Sequence, residues 1–211
     1  VEKDTLFMHG KKIIVSGPQE DRVIRAFNNV RFYKSDMSGK CDSLHSSTKN
    51  ELTQLIGKPV LWNNENQMTG NVMHLIGNNE TEKLDSLKVL NNAFIIQKDS
   101  LSKNGFNQMK GQNLFGRFEE NKLKEVDIIK NAESIYYIYN DKNEFVGIRK
   151  SVCSRINLEM NENKIETMTG FNNTESNIYP DNEFPENARK LRGFAWRGDE
   201  RILSKENIFP E

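Results

Sequence analysis

Asn91-Asn92-Ala93-Phe94-Ile95-Ile96 joins two residues that tolerate left-handed backbone to a run of β-forming side chains. The same signature recurs along the chain. Asn28-Asn29-Val30, Gly57-Lys58-Pro59-Val60 and Lys130-Asn131-Ala132 repeat it, and Phe171-Asn172-Asn173-Thr174 is a degenerate copy. Anchored on Val30, Val60, Ala93, Ala132 and Thr174, the copies follow one another at intervals that grow from 30 to 42 residues. Each reads as a turn that precedes a strand. A second landmark lies inside each unit: Asn71-Val72-Met73-His74-Leu75-Ile76 aligns with Asn113-Leu114-Phe115-Gly116-Arg117-Phe118 and with Arg155-Ile156-Asn157-Leu158-Glu159-Met160. Two landmarks in one order describe a repeat of turn, strand, turn, strand and turn. A unit of that size cannot bury its own apolar face, so neighbours must stack into a continuous core.

Outside these landmarks the pattern stays all-β. Windows with apolar residues at helical spacing are few, whereas Val30-Arg31-Phe32, Val60-Leu61-Trp62 and Val126-Asp127-Ile128 alternate with period two. Polar clusters such as Asn63-Asn64-Glu65-Asn66 and Asn140-Asp141-Lys142-Asn143 separate them as turns. The C-terminus departs from the repeat. Pro180 and Pro185 bracket a loop that leads to Leu191-Arg192-Gly193-Phe194-Ala195-Trp196, as a cap on an open stack would. The expected organisation is a β-repeat domain over residues 1–180 and a capping segment over 181–211.

Composition narrows the function. Apolar residues make up 36% of 211, low for a compact globule and suited to an elongated sheet with much exposed surface. Lys plus Arg equals Asp plus Glu at 30 each, so the basic excess that a nucleic-acid backbone demands is missing. No apolar stretch is long enough to span a membrane as a helix. The chain begins at Val1 and reads as a mature form or a fragment of a longer protein. Cys41 and Cys153 form no C-x-x-C; one long-range disulfide and two free buried thiols are both open.

Motifs for catalysis are absent: there is no G-x-S-x-G, H-E-x-x-H, P-loop or G-x-G-x-x-G. The chain reads as non-enzymatic, with no cofactor. Met8-His9, Leu44-His45 and Met73-His74 fall at matching places in successive units and predict a column of imidazoles. Such a column holds a metal, forms a pH-sensitive stripe, or is merely a polar ladder. Gly116 and Leu158 in the later copies favour the ladder, and no metal site is assigned. What remains is apolar surface. Period two sets Val72 with Ile76, Leu114 with Phe118, and Ile156 with Leu158 and Met160 on one wall. Val30 with Phe32, Val60 with Trp62, and Ala93 with Ile95 line the other, and Val126 and Ile128 complete the set. These residues are either a filled sandwich core or the lining of an apolar groove.

Several segments resemble the OstA-like periplasmic proteins of gram-negative bacteria. They are Lys40-Cys41-Asp42-Ser43-Leu44, Gly57-Lys58-Pro59-Val60-Leu61-Trp62, Asn92-Ala93-Phe94-Ile95-Ile96, Phe106-Asn107-Gln108-Met109-Lys110-Gly111 and Leu191-Arg192-Gly193-Phe194-Ala195-Trp196. In order and spacing the chain is similar to the C-terminal part of a longer member of that family, which includes LptA and the N-terminal domain of LptD. Ile202 departs from it, standing where a Pro would be expected. The resemblance implies a twisted, V-shaped antiparallel β-jellyroll whose apolar interior shields lipid acyl chains. It further implies lipopolysaccharide as ligand and other Lpt-type modules joined through edge strands. A periplasmic location follows, with outer-membrane association as a further expectation. Two other readings stand beside it: a structural β-solenoid without lipid, and a carbohydrate-binding repeat protein using Tyr136, Tyr137 and Tyr139.

Overall fold

The computed structural model describes residues 5–78, 80–81, 83–102, 104–161 and 164–209. Fourteen strands pair antiparallel in one sheet. They are β1 (Phe7–His9), β2 (Lys12–Ser16), β3 (Val23–Lys34), β4 (Met37–Ser47), β5 (Leu52–Ile56), β6 (Val60–Asn63) and β7 (Asn66–Thr69). There follow β8 (Val72–Asn78), β9 (Lys83–Lys98), β10 (Phe106–Glu119), β11 (Lys122–Tyr139), β12 (Phe145–Asn161), β13 (Lys164–Phe171) and β14 (Glu175–Tyr179). Successive strands join as hairpins or run on through a bend, so the chain is an antiparallel meander and not a solenoid winding one way.

The repeated Asn pairs are where this sheet folds. Asn28 and Asn29 lie inside β3 at φ 62° and 57°, Asn91 and Asn92 inside β9 at 58° and 56°, and Lys130 and Asn131 inside β11 at 63° and 53°. Gly57 and Lys58 separate β5 from β6, and Asn172 and Asn173 separate β13 from β14, again with both residues at positive φ. Two left-handed residues in succession bend a strand sharply, and Asn bears this conformation better than most side chains. The neighbouring strand keeps pace. Lys11 N–H donates to Asn28 O at 3.2 Å, Asp42 to Gly57 at 3.1 Å, Asn71 to Asn91 at 3.0 Å and Ser154 to Asn172 at 3.2 Å. The expected turn before a strand is therefore a corner within one, because the hydrogen-bond ladder resumes directly beyond it.

Every long strand thus crosses from one wall of a V to the other. The first wall holds β2, β5, β8, β13 and the matching halves of β3, β4 and β9 to β12. The second holds β1, β6, β7, β14 and the remaining halves. One core cluster fills the angle between them, with Leu55, Met73, Val89, Leu114, Ile128 and Ile156 from the first wall and Phe32, Leu61, Met68, Ile95 and Met109 from the second. Cys41 and Cys153 are buried in the same cluster beside the corner as free thiols. Burial pushes the Cys41 thiol up to about 12 and raises Cys153 as well. Both thiols therefore stay protonated at pH 8, and a disulfide-exchange reagent is expected to label neither until the protein unfolds. Stoichiometric labelling of the native chain within minutes would show that the corner opens.

Among the described residues, those after Tyr179 form no strand. They run back across the outer face of the second wall as a strap, and not over the end of the stack as a cap would. Phe184 and Leu191 pack with Phe94, Ile96, Ile135, Tyr137 and Ile148 in a second core cluster. Two buried glutamines fasten the strap to the sheet. Gln108 Nε2 donates to Arg189 O at 2.7 Å and its Oε1 accepts from Leu191 N at 2.9 Å. Gln67 does the same with Ala195 O at 2.8 Å and Arg197 N at 2.6 Å. Each amide stands in for a strand neighbour, satisfying strap backbone that would otherwise be buried without partners. Further on, Arg197 and Lys40 hold Glu200 at 2.8 and 3.2 Å, and Arg197 foremost lowers that carboxyl to about 2. Ile202, the departure noted above, is a buried anchor of the strap. Phe209 ends it edge-on to His9 on β1, ring centroids 5.3 Å apart.

Candidate functional site

Between the lips of the V, on the N-terminal side, the walls do not touch. A cavity of about 780 Å³ opens there, with Phe32, Met37, Leu44, Leu52, Leu75 and Leu84 among its apolar lining. Lys34, Glu20, Glu51 and Lys83 stand at the same opening. This is the size range of sites that swallow a small ligand. Farther along the V the interior is packed shut by Phe118, Leu123, Val126, Leu158 and Met160.

Eleven of the apolar residues singled out from sequence face this interior: Val30, Phe32, Ala93, Ile95, Leu114, Phe118, Val126, Ile128, Ile156, Leu158 and Met160. Of these, only Phe32 lines the cavity itself. Val60, Trp62, Val72 and Ile76 do not face the interior, and the cause is one residue of register. The corner pair Gly57-Lys58 makes Pro59, not Val60, the counterpart of Val30, so Leu61 points inward. Leu61 pairs with Gly39 and Met68, and Met68 with Ile95. Val60 and Trp62 are buried on the opposite face, Trp62 beside Gln67 and the strap. Likewise Met73, not Val72, continues the row of Val89, Leu114, Ile128 and Ile156. Val72 and Ile76 accordingly lie outward. In a strand a slip of one exchanges the two faces.

The same slip undoes the histidine column. His45 pairs with Gln54 and Gln54 with His74, and the row continues outward-facing through Lys88, Phe115, Asp127 and Asn157. Gly116 and Leu158 are not in it, and His9 belongs to the other wall. Gln54 Nε2 lies 3.1 Å from His74 Nε2, and desolvation, helped by Lys88, lowers the His74 pKa. Among the described residues no group of three His, Cys, Asp or Glu could hold a metal ion. The tyrosines divide too: Tyr137 and Tyr139 lie on the outer face near Phe145, while Tyr136 pairs with Arg149 on the inner face. They form no single platform.

Sequence comparison is silent, since no family model and no curated protein matches the chain. Structure comparison is not. The chain is similar to the crystal structure of LptH from Pseudomonas aeruginosa, the LptA-homologous periplasmic component of the lipopolysaccharide transport device, with a TM-score of 0.51. The fold is an LptA-like β-jellyroll. The match covers 69% of this chain and 99% of that one, at 14% identity, so the likeness speaks for architecture. Among the described residues no helix is long and apolar enough to cross a membrane.

Proposed function

We propose that this β-jellyroll is a lipid-carrying module of the lipopolysaccharide-transport type, working in the periplasm between similar modules. The observation that carries the reading is the cavity between the lips: lined by Phe32, Met37, Leu44, Leu52, Leu75 and Leu84, edged by charged and hydroxyl side chains, and continuous with the apolar core that fills most of the V. Acyl chains need no more than such a trough, each buried CH₂ contributing about 0.8 kcal/mol. The ends of the sheet support the second half of the reading. Among the described residues, β1 and β2 at one end and β13 and β14 at the other each have one strand neighbour. Their free edges, flanked by exposed Ile13, Ile14 and Val15 and by Phe171 and Ile178, suit strand addition by another module. Neither task asks for catalysis.

A photo-crosslinking amino acid in place of Phe32 or Leu75 is expected to capture lipopolysaccharide, whereas one in place of Lys122, on a distant hairpin, is not. Equal capture at all three positions would mean adsorption to the surface and would sink the groove. Organic extracts of the purified protein should likewise contain lipid A-type species.

A further inference from the structure

The interior is not apolar throughout. At its C-terminal end the second wall turns polar while the first does not. Ser134, Ser151 and Ser176 lie side by side on β11, β12 and β14, facing inward in the row that begins with Phe32 and Leu61. In the next row toward the lip, Arg149 pairs with Tyr136 on one side and Ile178 on the other. Across the V stand Leu158 and Met168 of the first wall.

Arg149 is poorly matched to these surroundings. Its Nη2 lies 2.8 Å from the sulfur of Met168, a weak acceptor. Its Nε is buried with no hydrogen-bond partner, and among the described residues no carboxylate pairs with it. A guanidinium left so is costly, because nothing replaces the water it gave up. The end of the interior is nonetheless accessible, since Ile178 beside Arg149 is 57% exposed on the edge strand. Burial raises the Tyr136 hydroxyl's pKa, so it stays protonated as a second donor.

We infer that Arg149, with Tyr136 and the serine row, is an anion-binding point at the open C-terminal end of the V, taking the phosphate or carboxylate headgroup of an amphiphile that approaches past the exposed Ile178. The inference rests on the lipid-carrying reading and adds headgroup selection to it. Arg149 suits the role because its planar fork binds an oxyanion through two hydrogen bonds.

The test compares dodecyl phosphate, uncharged monolaurin and inorganic phosphate as ligands of the full chain, by displacement of a fluorescent fatty-acid probe and by calorimetry. The wild type is expected to prefer dodecyl phosphate over monolaurin by about tenfold, the scale of one charge-assisted contact. Arg149→Met should abolish that preference and keep monolaurin affinity, and Arg149→Lys should retain part of it. If Arg149→Met leaves the preference intact, the anion point is misplaced. Should inorganic phosphate bind as tightly as dodecyl phosphate, the ligand is a free anion and the amphiphile inference fails. Failure of both amphiphiles on the wild type overturns the lipid-carrying reading itself, and this inference with it. Wild-type circular dichroism in both variants guards against misfolding.

Discussion

A chain truncated after Pro180 is expected to lose its cooperative unfolding transition near room temperature, or to aggregate. The strap buries Phe184, Leu191, Ile202 and Ile208. At about 1.5–3 kcal/mol for each such side chain, its removal forfeits of the order of 6–12 kcal/mol as an upper estimate. That is comparable with the whole stability of an ordinary domain, about 5–15 kcal/mol. Truncation also uncovers Phe94, Ile96, Ile135, Tyr137 and Ile148 as one apolar patch. It strands the side-chain amides of Gln67 and Gln108 in that patch as well. Thermal melting by circular dichroism and size-exclusion chromatography are the measurements. Leu191→Ala is the graded version, with an expected loss of about 2–5 kcal/mol. If the truncated chain stays monomeric and melts with the full chain, the strap contributes nothing to stability and its two glutamine clasps are incidental.

The second large effect belongs to the corner. Replacing Asn91 and Asn92 together by valine should lower stability by about 2–4 kcal/mol, because each left-handed residue costs an ordinary side chain about 1–2 kcal/mol and a β-branched one suffers most. The amides also contribute directly: Asn92 Nδ2 donates to Asn71 Oδ1 at 3.2 Å. A glycine pair at the same positions supplies the control. Glycine reaches positive φ freely; against that it widens the unfolded ensemble and gives up the exposed Asn92–Asn71 contact, so that variant should stay within about 1 kcal/mol of the wild type. Urea denaturation separates the two. A valine pair that unfolds at the wild-type midpoint would mean that the bend is imposed by packing and not by local backbone preference.

The architecture was largely legible in the sequence, and the errors share one cause. β-forming runs and recurring Asn pairs identify an all-β repeat because both features are local. A turn and a corner, however, make the same demand on backbone, positive φ at two successive residues, so Asn91-Asn92 reads equally as either. What separates them is whether the ladder resumes beyond, which depends on a neighbouring strand far off in sequence. Register suffered from the same blindness. Pro59 fills the slot of Val30, and Met73, not Val72, stands level with Leu114 through their shared partner Val89. Those single steps sent Val60, Trp62, Val72 and Ile76 to the wrong face. The strap left a fainter signal. Gln67 and Gln108 are polar residues near the starts of β7 and β10, and each of them clasps strap backbone. Arg149 had no signal at all, since an arginine in an alternating strand looks like any solvated charge until its face is known.

Because the long strands β3, β4 and β9 to β12 run unbroken through the corner, the two walls are one woven fabric and cannot slide past each other. Adding or deleting a hairpin lengthens or shortens both walls together, by about 9.6 Å for two strand spacings. The corner pair then recurs in step with the new strands, and the angle of the trough is kept. Length in this protein is thus a quantity written in units of hairpins. A trough of any given length can be built by counting them, while its cross-section stays the same.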